Sequence, residues 1–137
     1  MKNVLFACIH NAGRSQMAAA WFNHLADPAK ARAVSAGTQP GERVHPVVVT
    51  VMQEAGIDLS QLRPRFLSPE LARSSDLLVT MGCGEACPAI PGLERDDWPL
   101  PDPKNQPVER VVEIRDEIRR KVGALLESRN WTKGAAP

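Results

Sequence analysis

Short apolar runs divide this chain and predict the strands of a sheet. Residues 2–7 and 76–80 contain continuous apolar runs, which are typical of strands buried on both faces in a parallel sheet. Residues 31–35 predict another short strand, closed by the turn-forming Gln39-Pro40-Gly41. The proline-rich stretch 82–107 predicts a loop with room for two short extended pieces.

The segments between and after these runs have helical character. Residues 15–25 are rich in Ala, Met and Gln, and residues 46–55 place a proline in the first turn of a predicted helix. Ser68-Pro69-Glu70 predicts a capped start for a short helix. In residues 108–129 the apolar positions have the spacing of a long amphipathic helix: Val108, Val111, Ile114, Ile118, Val122 and Leu125.

Strands that alternate with helices indicate an α/β protein. We expect a single domain over residues 1–137, with a four-stranded parallel sheet covered by helices on both faces. The chain is 43% hydrophobic and 24% charged, which is ordinary for a globular protein. A formal net charge of +1 gives no sign of a nucleic-acid partner. Because no apolar run has the length of a signal-peptide core or a membrane span, we expect a cytoplasmic protein without a membrane partner.

The stretch between the first predicted strand and the first predicted helix carries the strongest chemical signal. It reads Cys8-Ile9-His10-Asn11-Ala12-Gly13-Arg14-Ser15. In such a turn the backbone N–H groups point inward and the helix adds its positive end, which together form a concave anion site. Arg14 offers two parallel donors to the same anion. The positive field favours the thiolate of Cys8, and Ser15 adds a hydrogen-bond donor.

This stretch therefore predicts an oxyanion site with a thiolate nucleophile. The nucleophile is Cys8. The predicted oxyanion-binding residues are Ile9, His10, Asn11, Ala12, Gly13, Arg14 and Ser15.

The three cysteines are not expected to form a structural disulfide framework in a reducing cytoplasm. Cys8, Cys83 and Cys87 are better interpreted as catalytic, redox or metal-binding thiols. No second Cys/His pair completes a zinc site. Cys8 and Cys83 each follow a predicted parallel strand, and ligands gather at the carboxyl ends of such strands. We therefore expect their sulfur atoms to lie within reach of one another.

Taken in order, these landmarks resemble the low-molecular-weight protein tyrosine phosphatase family, a flavodoxin-like fold, and within it the arsenate reductases coupled to thioredoxin or small thiols. The resemblance rests on residues 8–18, Ser35-Ala36-Gly37-Thr38, Gly56-Ile57-Asp58-Leu59-Ser60 and Asp102-Pro103. It implies that Asn11 locks the loop, which suits the tolerance of asparagine for left-handed backbone. It also implies that Asp102 is the general acid, with Asp96 or Asp97 as alternatives.

Two features favour a reductase over a phosphatase. Phosphatases of this fold carry tyrosines just after the Asp-Pro pair, whereas this chain has no tyrosine and continues with Lys104-Asn105-Gln106. A phosphatase needs no Cys83 or Cys87, whereas reducing arsenate to arsenite requires two electrons. The resemblance therefore implies an arsenate reductase. The alternatives are a phosphatase that uses Cys8 as its nucleophile and a non-catalytic oxyanion or thiol sensor.

The implied catalytic residues are Cys8, Arg14, Ser15, Cys83, Cys87 and Asp102. The resemblance implies a disulfide relay in which a Cys8–Cys83 bond gives way to a Cys83–Cys87 bond, which thioredoxin then reduces. Gly82 and Gly84 would supply the necessary backbone freedom. Because Gly82 intervenes after Met81, and the two later cysteines are closer together than in the best-known members, the order in which they attack stays open. A small thiol with a glutaredoxin-like partner is the alternative reductant.

Some members of the family hold a potassium ion behind the loop through oxygen ligands. The matching positions here are Ala19, Arg63 and Arg65, which provide no side-chain oxygen. We therefore expect no bound metal, with an arginine in the place of the cation. No cofactor is expected beyond the external thiol reductant.

Overall fold

The computed structural model describes residues 1–82 and 90–133, and the predictions for Cys83, Gly84 and Cys87 lie outside these residues. The elements are β1 (Lys2–Cys8), α1 (Arg14–Leu25), β2 (Ala31–Gly37), α2 (Pro46–Glu54), α3 (Pro69–Arg73), β3 (Leu77–Thr80), β4 (Glu94–Asp97) and α4 (Val108–Arg129). Four strands form a sheet in the order β2-β1-β3-β4, and each neighbouring pair is parallel. The predicted four-stranded parallel sheet is confirmed.

The inner strand β1 separates two hydrophobic cores. Val4 and Phe6 face the larger core, to which α1, α2 and α4 contribute, while Leu5 and Ala7 face a smaller core that includes Ala72 of α3. This division follows from the alternation of side chains along a strand. The predicted helices on both faces of the sheet are therefore observed.

The helix bounds agree with the sequence pattern more closely than the strand bounds do. The predicted helix 108–129 is observed at those residues, and Ser68 caps α3 by accepting a hydrogen bond from the backbone N–H of Leu71 at 3.1 Å. The strand β2 extends to Gly37, beyond the predicted end, because its last residues pair with Ala7 and Cys8 of β1. This extension depends on a partner strand that a local pattern does not reveal.

The strand β4 is the least evident element in the sequence. All of its residues are exposed and its four side chains are charged, so no apolar run predicts it. It forms because it pairs with β3 at the edge of the sheet, with Asp97 in register with Thr80. Charged residues are common on edge strands, where they oppose pairing with another chain. Among the helices described, none is long and apolar enough to cross a membrane.

The larger core is centred on aromatic side chains of the sheet and of α1. The ring of Phe22 is fully buried and lies 6.0 Å from the ring of Phe6 and 6.1 Å from the ring of Trp131, measured between centroids. Both contacts have the edge-to-face geometry that aromatic pairs prefer. Trp98 joins the same cluster at 5.5 Å from Phe6.

We expect Phe22→Ala to lower the free energy of unfolding by about 3–5 kcal/mol, because it leaves a cavity in a close-packed core. Urea unfolding followed by circular dichroism measures this loss. The control is Leu62→Ala, a large apolar side chain that is 46% exposed, which should change stability by no more than about 0.5 kcal/mol. Equal losses for the two variants would contradict this description of the core.

Candidate active site

The loop from Cys8 to Arg14 connects the carboxyl end of β1 directly to the first residue of α1. Backbone N–H groups of the segment 38–45 donate to its carbonyl oxygens: Thr38 to Cys8 at 3.2 Å, Gln39 to Ile9 at 2.8 Å, Gly41 to His10 at 2.9 Å and His45 to Ala12 at 2.8 Å. These bonds pair four carbonyl oxygens of the loop with donors outside it. The loop is therefore held from outside, beside the positive end of a helix.

Asn11 is the internal anchor of the loop. Its backbone has a φ of 51°, the left-handed conformation expected from the sequence, and the residue is fully buried. Its Oδ1 accepts hydrogen bonds from the side-chain amide of Gln16 at 3.1 Å and from the backbone N–H of Arg65 at 3.0 Å. Its Nδ2 donates to the hydroxyl of Ser15 at 2.7 Å. Asn11 thus ties the loop to α1 and to the segment before α3.

Gln16 contributes to the site, although from the sequence it was expected only to form a helix and to belong to the matching stretch 8–18. The side chain is 3% exposed, and its Nε2 donates to the backbone oxygens of Asn11 at 3.1 Å and Arg63 at 3.2 Å as well as to Asn11 Oδ1. The sequence shows only a glutamine on a helix rich in alanine, and the fold makes it a buried polar residue. Such a residue requires partners, because an unpaired buried amide is costly.

The expectation that an arginine side chain lies behind the loop needs correction. The described contacts there come from the Gln16 amide and from the main chain of Arg63 and Arg65, and both arginine residues are exposed. Asn11 O, Asn11 Oδ1 and Arg63 O all lie within hydrogen-bond distance of Gln16 Nε2. The amide nitrogen can donate to these oxygens without burying a charge. Within residues 1–82 and 90–133, no three His, Cys, Asp or Glu residues lie close enough together to hold a metal ion.

The sulfur of Cys8 lies at the end of a hydrogen-bond chain that runs from Gln16 through Asn11 and Ser15. Its Sγ is 2.8 Å from the Ser15 hydroxyl and 3.3 Å from the backbone nitrogen of Asn11, and the residue is 2% exposed. Because Ser15 Oγ already accepts from Asn11 Nδ2, its own hydrogen is free to donate to the sulfur. The Ser15 hydroxyl and the Asn11 N–H are thus both placed to donate to the sulfur. The arrangement suits a nucleophile.

Arg14 and Asp102 meet beside the loop. Arg14 Nη1 donates to the Leu100 carbonyl at 2.9 Å, and Nη2 lies 3.7 Å from a carboxylate oxygen of Asp102. The chain after Asp102 packs on the loop, since a Cβ at Gly13 would come within 2.6 Å of Pro103 Cγ. The structure therefore brings Cys8, Arg14 and Asp102 to one site.

The two alternative acids, Asp96 and Asp97, lie in β4 and already accept hydrogen bonds from other side chains. Asp97 accepts a hydrogen bond from the hydroxyl of Thr80, and Asp96 accepts one from the indole N–H of Trp98 at 3.0 Å. Neither has a described contact with the loop. The geometry therefore favours Asp102 as the acid.

Two histidines lie at the rim of the site. His10 interacts with the Gln39 carbonyl at 3.0 Å through its Nδ1, which ties the ring to the segment 38–45. His45 precedes α2, and its ring lies beside Gly13. Burial lowers the pKa of His45, Asp102 opposes that shift, and Lys104 and His10 add to it. His45 was not predicted as part of the site, because an isolated histidine before a proline has no specific local signature.

The whole described fold corresponds to one known family. Residues 3–133 match the family described as Low molecular weight phosphotyrosine protein phosphatase. The chain belongs to this family. A putative arsenate reductase of Halobacterium salinarum is 39% identical over 131 residues, which cover 91% of each chain. An arsenate reductase of Bacillus licheniformis is 33% identical over 138 residues, with 93% of this chain and 96% of that protein covered.

Solved structures of low-molecular-weight phosphatase relatives include both reductases and phosphatases. A thioredoxin-dependent arsenate reductase of Corynebacterium glutamicum has a TM-score of 0.81 and 38% identity over 93% of this chain, which spans 61% of that protein's length. An arsenate reductase in the oxidised state has a TM-score of 0.83 and 29% identity, covering 93% and 98% of the two chains. An arginine phosphatase from Geobacillus stearothermophilus has a TM-score of 0.78 and 25% identity, covering 95% and 94%. The predicted family is confirmed.

We expect Ser15→Ala to slow the alkylation of Cys8 by iodoacetamide at neutral pH about tenfold, because a hydrogen bond to the thiolate is lost. Mass spectrometry of the Cys8 peptide measures the rate separately from other thiols. The control is Ser60→Ala, an exposed serine outside the site, which should keep the wild-type rate. An unchanged rate in Ser15→Ala would contradict the proposed hydrogen-bond chain.

The burial of His45 predicts a pH-dependent stability. Since its pKa in the folded chain lies below the usual value of about 6.5, the unfolded chain binds this proton more readily. Stability is therefore lost as the pH falls from about 6.5 through the lowered pKa. We expect His45→Gln to remove this loss, so its free energy of unfolding should fall less steeply than that of the wild type. Urea unfolding between about pH 5 and pH 8 tests this, and parallel curves would refute it.

Proposed function

We propose that this member of the low molecular weight phosphatase family is an arsenate reductase. The observation that carries the proposal is the geometry of Cys8, whose buried sulfur has two hydrogen-bond donors at the inner end of an anion-binding loop beside Arg14. This arrangement supports attack of a thiolate on a tetrahedral oxyanion. The loop alone does not distinguish arsenate from a phosphate ester, because both present a tetrahedral oxyanion.

That support comes from the sequence and from the relatives. The segment after Asp102 contains no tyrosine that could line a slot for an aryl ester, and exposed Lys104 and Asn105 follow instead. Relatives at 39% and 33% identity, matched over most of their length, carry the name arsenate reductase. The two later cysteines, Cys83 and Cys87, lie outside the described residues, and their role is a prediction from the sequence.

The reaction begins at Cys8. Its thiolate attacks the arsenic atom and forms an As–S bond, while Asp102 gives a proton to the oxygen that leaves as water. Arg14 neutralises the charge of the oxyanion through paired N–H groups. The product of this step is a Cys8–arsenate adduct in which arsenic is still pentavalent.

Reduction follows when a second thiolate attacks the sulfur of Cys8. We assign this step to Cys83: an S–S bond forms, the As–S bond breaks, and its electron pair stays on arsenic, which leaves as trivalent arsenite. Cys87 then attacks Cys83 and releases the Cys8 thiolate, so the disulfide moves to Cys83–Cys87. An external dithiol reduces that disulfide by exchange. We propose thioredoxin for this role, with a small thiol and a glutaredoxin-like protein as the alternative.

The proposal is tested by incubating the reduced protein with arsenate, thioredoxin, thioredoxin reductase and NADPH. We expect arsenate-dependent loss of nicotinamide absorbance, with phosphate in place of arsenate as the control. Cys8→Ser should abolish turnover because no adduct forms. Cys83→Ser should allow a single adduct and no steady turnover, and Cys87→Ser should stop steady turnover with thioredoxin.

Three outcomes would count against the proposal, each in a different way. If neither thioredoxin nor a small-thiol system supports arsenate-dependent oxidation, the protein is not an arsenate reductase. Turnover of an aryl phosphate that survives Cys83→Ser would support the phosphatase alternative. Full activity of Cys87→Ser with thioredoxin would leave the reductase intact and refute the three-thiol relay.

A further inference from the structure

Gly82 follows Met81 after the carboxyl end of β3 and lies against the guanidinium group of Arg14. A Cβ built on Gly82 would lie 2.3 Å from Nη1, 3.2 Å from Cζ and 3.6 Å from Nη2 of Arg14. A separation of 2.3 Å is far below van der Waals contact, so a side chain here would displace the guanidinium. The backbone φ of Gly82 is +99°, which also favours glycine.

Two contacts hold the guanidinium in this position. The Arg14 side chain is 9% exposed. Its Nη1 donates a hydrogen bond to the Leu100 carbonyl at 2.9 Å, and its Nη2 lies 3.7 Å from Oδ2 of Asp102. The group is therefore held between the main chain after β3 and the chain that follows β4. A Cβ at Gly82 would push Nη1, the atom that holds the bond to Leu100.

We propose that Gly82 is a positioning residue for oxyanion binding, because its missing side chain provides the space that the Arg14 guanidinium occupies beside the Cys8 loop. The proposal rests on the proposed function only in that Arg14 binds the oxyanion. In this proposal Gly82 affects the strength of anion binding. That role is separate from the backbone freedom expected of Gly82 from the sequence.

The alternative is that Gly82 serves only its own backbone conformation. The chain contains a matched control for this alternative. Gly56 has a φ of +88°, and a Cβ built on it would meet nothing within 4 Å. Gly56→Ala therefore imposes a similar backbone strain without touching Arg14 or the loop.

The test is isothermal titration calorimetry of the reduced protein with inorganic phosphate. We expect Gly82→Ala to bind phosphate about tenfold or more weakly than the wild type, because the paired charge-assisted hydrogen bonds of Arg14 are disturbed. Gly56→Ala should bind phosphate within about twofold of the wild type. Equal affinities of Gly82→Ala and Gly56→Ala would overturn the proposal.

A double-mutant cycle with Arg14→Lys tests whether the effect acts through the arginine. A lysine side chain lacks the forked group that a Cβ at Gly82 would meet, so Gly82→Ala should weaken phosphate binding little further in the Arg14→Lys background. If Gly82→Ala alone fails to fold and the double variant folds, the contact with Arg14 is supported. A loss as large in the Arg14→Lys background as in the wild type would overturn the proposal.

The same measurements separate this inference from the proposed function. A wild-type protein that binds neither phosphate nor arsenate would refute the anion-binding role of the loop and, with it, both proposals. A wild-type protein that binds phosphate while Gly82→Ala binds it equally well would refute only the role of Gly82.

Discussion

The candidate site depends on the buried hydrogen bonds of Asn11. Its side-chain oxygen accepts hydrogen bonds from the Gln16 side chain and from the backbone N–H of Arg65. Its side-chain nitrogen donates to the Ser15 hydroxyl, which in turn contacts the sulfur of Cys8. A residue with positive φ is strained unless its surroundings require that conformation. Here hydrogen bonds from three segments hold it: Cys8 at the end of β1, Ser15 and Gln16 in α1, and Arg65 before α3. The strain is therefore offset, and the loop is held ready for an anion before any ligand arrives.

The register of the sheet decides which residues surround this loop. Ala7 of β1 is in register with Thr80 of β3, and Thr80 is in register with Asp97 of β4, so the three strands end at about the same level. The chain leaving β3 reaches Gly82, and the chain leaving β4 reaches Leu100 and Asp102. These segments then form two sides of the space in which the Arg14 guanidinium lies. Parallel strands with aligned carboxyl ends thus assemble one site from distant parts of the chain.

Most of the helices and the reactive loop follow from local signals. The amphipathic spacing of α4 and the cap at Ser68 depend on residues within a few positions of one another, and both were predicted from the sequence. A fourth strand was expected, and short extended pieces were allowed within residues 82–107, but β4 was not located there. Its charged residues give no apolar pattern, and its formation depends on pairing with β3. Gln16 and His45 were missed for a related reason: their partners lie on other segments, so residue type alone did not distinguish them from an ordinary helix residue and an ordinary turn residue.

The sequence by itself was enough to predict the chemistry proposed for the centre of the site. Cys8, Asn11, Arg14 and Ser15 lie within one short turn, where spacing, a strand before and a helix after are sufficient to predict an anion loop with a thiolate. Only the tertiary structure decided how that loop is supported. The donors behind Asn11, the contact between Arg14 and Asp102, and the space beside Gly82 all arise where segments far apart in the chain meet. Such contacts depend on strand register and packing, which a local pattern does not encode.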